Sequence, residues 1–181
     1  MSTQTMTKTK WAIDPTHSEI TFKVKHMMFT NVTGQFSKFD VTAETDAENF
    51  ANAKIDFKAD VNSISTGNTD RDNHLKSADF FDAANHAEIH FKATSYEKGN
   101  GTDKLTGDLT IRNTTKSITL EVENGGVAKD PWGNLKAGFS ITGKLNRKDF
   151  GLTWNAALET GGVLVSDEVK IAAEIQLVKQ A

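Results

Sequence analysis

The sequence predicts an all-β fold, a single eight-stranded antiparallel barrel with one short helix and long loops. Three observations predict it. Apolar and polar residues alternate over eight long runs, short Gly/Asn-rich connections join several of them, and the alternation lapses in only two internal stretches.

The first run is Glu19–His26, where Ile20, Phe22 and Val24 alternate with Glu19, Thr21, Lys23 and Lys25. A period of two puts the two sets on opposite faces of a strand. Gly34–Ala43 follows, and its alternation slips between Phe36 and Phe39, which predicts a bulge. Lys54–Val61 sets Ile55, Phe57, Ala59 and Val61 against Lys54, Asp56, Lys58 and Asp60. Over Ser65–Asp82 the alternation stops. There Asn68 or Thr69 can cap a short helix through Leu75, with acidic residues in its first turn. His86–Tyr96 and Lys104–Arg112 resume the strand pattern, and Ser117–Glu123, Leu135–Leu145 and Glu168–Val178 complete it. Gly99-Asn100-Gly101, Asn113–Lys116 and Asn124-Gly125-Gly126 have the chemistry of tight turns. Three hairpins in succession favour an up-and-down meander over a Greek key. Arg147–Ser166, with Gly151, Gly161 and Gly162, is expected to be a long loop.

A chain of 181 residues suits one domain. Residues 1–10 are polar and expected to form a flexible tail, leaving the domain at 11–181. A net charge of −3 gives no electrostatic grip on nucleic acid, and no basic amphipathic segment reads as a membrane anchor. Cysteine is absent, which removes disulfides, thiol catalysis and thiolate-bound metal. The N-terminus carries no apolar leader segment, so a cytoplasmic location is expected, or a periplasmic one had a leader preceded it.

The charged face of each strand belongs outside. An outer-membrane barrel would turn its apolar face to lipid between aromatic girdles, and a single tyrosine argues against girdles. The apolar face is therefore the lumen. Its candidate ligand-contacting residues are Phe22, Val24, Phe36, Phe57, Phe91, Leu109, Ala137, Phe139, Ile141 and Ile171. Eight strands enclose a lumen that either fills with side chains or holds one small ligand. Small residues recur mid-barrel at Ala59, Ala93, Gly107, Ala137, Gly143 and Ala173. They either leave an apolar hollow or mark places where strands bend and large side chains cross over. A hollow of ~300 Å³ would cost ~7 kcal/mol if empty, a large share of a domain's stability, so an apolar occupant is expected with it.

Catalytic signatures are absent: there is no phosphate-cradling loop, nucleophile elbow or dinucleotide fingerprint. The five histidines are scattered, and no metal site is expected. Arg71, Asp72 and His74, with Arg147 and Asp149, form the best polar group. Arg71, His74 and Arg147 could receive a headgroup at the barrel mouth, or the group could be caps and ion pairs that hold the non-strand segments in place. Trp11 is expected to plug one barrel end, while Trp132 and Trp154 suit either lids or core.

The motifs resemble the YceI-like family. The opening Trp11-Ala12-Ile13-Asp14-Pro15-Thr16-His17-Ser18 runs into Phe22, Lys25-His26 and Gly34-Gln35-Phe36. Asp70-Arg71-Asp72-Asn73-His74-Leu75 with Asp79-Phe80-Phe81, Gly107 to Arg112, and Arg147-Lys148-Asp149-Phe150-Gly151 continue it in the family's order over residues 11 to 179. One departure is Asn113, where the family usually has Gly, and Asn tolerates the left-handed conformation expected there. The resemblance implies a lipocalin-like barrel that binds long isoprenoid chains, such as polyprenyl lipids or quinone tails, and export to the periplasm in many members. The expected function is binding of such a lipophilic ligand for carriage, storage or a stress-related role. The expectation is of no enzymatic activity, no cofactor beyond the bound lipid or quinone, and no stable membrane insertion, with a homodimer compatible with the pattern. The alternatives are a packed, ligand-free barrel that binds a partner and a barrel enzyme acting on a hydrophobic substrate.

Overall fold

The computed structural model describes residues 8–156, 158 and 164–181. Eleven strands run in chain order: β1 Lys8–Ile13, β2 Glu19–His26, β3 Thr30–Phe36, β4 Phe39–Asp46, β5 Asn49–Asp60, β6 Ile64–Ser65, β7 Glu88–Glu97, β8 Asp103–Ile111, β9 Thr114–Lys129, β10 Leu135–Asn146 and β11 Val165–Lys179. Among the described residues one α-helix forms, α1 at Thr69–Lys76, and the Asn68 side chain caps it by accepting from the Arg71 N–H. Eight strands close an antiparallel ring in the order β1-β4-β5-β7-β8-β9-β10-β11, with β11 returning to β1. From β7 to β11 each strand pairs with the next in the chain, the expected meander.

The ring is complete at one end only. β11 is long enough to pair with β1 through Leu177–Lys179 and with β2 through Val165–Glu174. At the second end β2, β3 and β6 continue outward from β11, and β3 has no pairing to β5. The sheet parts there, and α1 with the segment around Phe80 lies at the gap. We call this end the mouth. The other end is closed by Trp11, 1% exposed, whose ring stands 5.1 Å from Phe50, itself 4.9 Å from Phe139. The Trp11 indole N–H donates to the Thr45 hydroxyl at 2.9 Å, so its polar edge is satisfied in the interior.

Four local expectations change. The slip at Phe36–Phe39 is a strand break: Phe36 pairs with Ile64 of β6 and Phe39 with Ala59 of β5. Both rings belong inside, and a spacing of three cannot place both there along one unbroken strand. Asn124-Gly125-Gly126 is a bulge within β9, with Gly126 at φ +90° and its N–H bonded to the Asn124 side chain. The hairpin falls instead at Asp130–Asn134, where the Asp130 carboxylate accepts from the Trp132 and Asn134 N–H groups. In the β8–β9 turn the left-handed residue is Arg112, at φ 55°, not Asn113. Finally, β1 begins at Lys8, inside the stretch expected to be tail. Gly161 and Gly162 lie outside the described residues.

Candidate ligand-binding cavity

The lumen is not filled. A cavity of about 290 Å³ occupies its mouth half, between β2, β3, α1, Phe80–Phe81 and the segment after β10. A second, of about 120 Å³, lies deeper against Phe50 and Phe139. Ile20, Phe57, Leu109 and Ile171 border both, so the two are neighbouring chambers of one apolar interior.

Phe22, Val24 and Phe36 line the mouth cavity, Phe57, Leu109 and Ile171 line both, and Phe91, Phe139 and Ile141 line the deeper one. Phe22, Val24, Phe57, Ile141 and Ile171 are only half-buried, because one side of each faces open volume. Ala137 is different. Its strand face matches that of Phe139, but it sits at the closed end, 1% exposed, and lines neither cavity.

Of the small residues, Ala59 borders the larger cavity and Ala173 the deeper one, but the two glycines do not make the hollow. A methyl group on Gly107 would lie 2.5 Å from the Phe91 ring, and one on Gly143 would run into Leu120 Cδ2. These glycines let large neighbours lie across them, so mid-barrel is packed where they sit. Open space lies where the sheet parts between β3 and β5, because no strand there supplies inward side chains.

At the mouth, Arg71, His74 and Arg147 all border the larger cavity, but their surroundings differ. Arg147, 3% exposed, donates from Nε to Ser166 O (2.9 Å), from Nη1 to Leu152 O and Trp154 O, and from Nη2 to Val165 O. Its guanidinium therefore clamps the two ends of the segment joining β10 to β11. Burial lowers its pKa, and Asp167, 3.9 Å away, partly opposes the shift. Arg71 is exposed and donates from Nε to the Thr66 hydroxyl and from Nη2 to Thr66 O, both at 2.7 Å. Asp72 accepts from the Thr66 N–H and hydroxyl, so α1 is tied to the end of β6. His74 bonds Asp79 through Nε2 at 2.9 Å and stands edge-on to Phe80 and Trp154, with centroids 5.1 and 4.6 Å away. Thus Arg147 is committed to backbone carbonyls, while Arg71 and His74, held by Thr66 and Asp79, border the cavity together with Thr21, Lys25, His26 and Thr66. Asp149 is exposed.

Sequence patterning missed Leu75, Phe80, Leu152 and Leu164 as cavity walls, since they lie in segments with no alternation to reveal a face. Trp154 is wall, and Trp132, 82% exposed, is neither lid nor core. The histidines stay apart: His17, His74, His86 and His90 pair with Asp14, Asp79, Asp82 and Glu88 respectively, and His26 borders the cavity. Among the described residues no three metal-ligating side chains gather. Nor is any helix there long and apolar enough to cross a membrane.

Comparison with known proteins agrees with this architecture. The YceI-like domain model matches residues 11–177. A UPF0312 protein of Staphylococcus aureus is 40% identical over 169 residues, covering 93% of this chain and 96% of its own. The crystal structure of a Campylobacter jejuni YCEI protein superposes with a TM-score of 0.75 at 35% identity, covering 88% of this chain and 91% of that one. A polyisoprenoid binding domain from Saccharophagus degradans shares the fold, with a TM-score of 0.70 at 12% identity, over 94% of this chain and 98% of that one. Barrel, motif order and relatives agree: the chain belongs to the YceI-like family.

Proposed function

We propose that the protein binds one long, flexible, apolar ligand of the isoprenoid class, with its chain in the two chambers and any polar end at Arg71 and His74. The observation that carries this is the cavity of about 290 Å³ walled by apolar side chains and leading to a second apolar chamber. Kept dry and enclosed, an apolar space of that size would cost up to ~7 kcal/mol, a penalty that an apolar occupant would relieve. Four residues border both chambers, so the two adjoin, which supports an extended ligand that reaches from one into the other. A domain of the same fold in Saccharophagus degradans is a polyisoprenoid binding domain.

The polar inventory supports binding over catalysis. Arg147 has its donors engaged by carbonyls, and the pair His74–Asp79 stands at the rim beside aromatic rings rather than opposite a second acid or base. Titration of delipidated protein with a prenylated quinone should quench Trp154 with saturation near one equivalent. Trp154→Phe should abolish the signal without abolishing uptake. Saturation at many equivalents, or equal response to a short-chain quinone, would contradict a chain-length-matched site.

A further inference from the structure

We infer that the β2–β3 hairpin is a docking element for an anionic lipid bilayer, placing the cavity mouth against the surface from which an apolar ligand is exchanged. The tip is Met27-Met28-Phe29, three consecutive large apolar residues of which Met28 is 59% and Phe29 82% exposed. Its place is fixed relative to the mouth. The Met27 N–H donates to Leu164 O at 2.8 Å, and His26 and Leu164 border the cavity.

Two costs at this tip have no internal explanation. Met27 and Met28 hold φ values of 52° and 66°, a left-handed pair that a tight hairpin normally fills with Asn and Gly. Long unbranched apolar side chains there add strain to exposure. A third cost lies on the adjoining wall. Lys144 of β10 stands opposite Lys170 of β11, which stands opposite Lys23 of β2. All three are exposed, and like charges directly opposite one another destabilise a sheet. Lys25 extends the row toward the tip. Among the described residues no carboxylate lies within 4.0 Å of these four lysines; Asp167, the acid nearby, faces Arg147 and Lys148. The acids on the same face of these strands are Glu168, two residues from Lys170, and Glu174 of β11 opposite Glu19 of β2, four residues farther from the tip. A basic wall ending in an apolar tip complements a negatively charged membrane surface, where apolar side chains enter the interface and lysines meet headgroups. A folded protein partner could match one of these features; a bilayer matches both without a shaped counterpart.

The link to ligand exchange rests on the function proposed above, whereas the docking itself does not. The test is co-sedimentation of the ligand-free full chain with vesicles of phosphatidylglycerol and phosphatidylcholine, and with phosphatidylcholine alone. Binding is expected to require phosphatidylglycerol and to weaken in high salt. Phe29→Ser with Met28→Ser should reduce it at least tenfold. Each of Lys23→Gln and Lys170→Gln should reduce it about fivefold. These residues are exposed, so the variants fold, and their melting curves serve as the control. In parallel, uptake of a prenylated quinone from dilute solution should be unchanged in the tip variant. Normal uptake with no vesicle binding by the wild type would overturn the docking inference and leave the function standing; vesicle binding without uptake would do the reverse. Wild-type self-association that the tip substitutions abolish, with no vesicle binding, would overturn it in favour of a protein contact.

Discussion

Replacing Val24 by Phe separates an open lumen from a packed one. Val24 of β2 stands between Val32 of β3 and Val169 of β11, and all three border the larger cavity. The substitution adds four carbons aimed into about 290 Å³ of apolar space. At ~0.8 kcal/mol per buried carbon the ceiling is ~3 kcal/mol. Loss of rotamer freedom and imperfect fit reduce this to about 1–2 kcal/mol. For a domain of this size that is a rise of about 2–8 °C in the Tm of the ligand-free protein. The same ring occupies the ligand's space, so affinity for a prenyl chain should fall at least tenfold. Ala137→Phe is the contrasting control. Ala137 is 1% exposed and borders no cavity, so a ring there overpacks the closed end and should cost ~1–3 kcal/mol or more. Calorimetry and ligand titration of both variants give the readout. Equal destabilisation by the two substitutions would refute an open mouth half of the lumen.

Three further predictions concern the groups that hold the barrel in shape. Arg147→Met should cost about 2–4 kcal/mol in denaturant unfolding, because it leaves the carbonyls of Leu152, Trp154, Val165 and Ser166 without their buried donor; a loss below about 1 kcal/mol would show that the clamp is dispensable. Tyr96 donates to Asp103 at 2.6 Å, and burial, reinforced by that carboxylate, pushes its pKa well above the usual phenol range. The folded state then keeps a proton that the unfolded state releases, so stability should fall as pH rises above ~10, and Tyr96→Phe should remove that alkaline slope. Asp14 is held well below the usual carboxylate range, first by Lys136 at 2.7 Å and then by Thr16. Its contribution is present above pH ~4 and lost as pH falls, so Asp14→Asn should flatten the acid limb of stability; an unchanged limb would assign it to other carboxylates.

The strands were legible because alternation is a local property: each of the eight runs exposes its inward face within a few residues. What the pattern could not carry was pairing. Gly107 and Gly143 look like gaps along one strand, and only the register of β7 against β8 shows that Phe91 fills the first. Asn124-Gly125-Gly126 was ambiguous for a related reason. A bulge and a hairpin both need a left-handed glycine, and the choice is made by how far β10 extends alongside β9. β1 escaped notice because it offers just six residues before Pro15 interrupts its lane. At the site, nine of the ten residues marked by alternation border a cavity, the exception being Ala137. The polar residues at the mouth, Arg71, His74 and Arg147, were marked by their motifs, but its apolar walls at Leu75, Phe80 and Leu152 were hidden because those segments have no period.

Native mass spectrometry of the full chain purified from its own host, before and after organic extraction, tests the ligand-binding lumen most directly. A single added mass matching a prenyl lipid or prenylated quinone is predicted, near one per chain, removed by extraction and absent from Val24→Phe. A protein that carries no added mass and takes up no prenyl chain when one is supplied would contradict it.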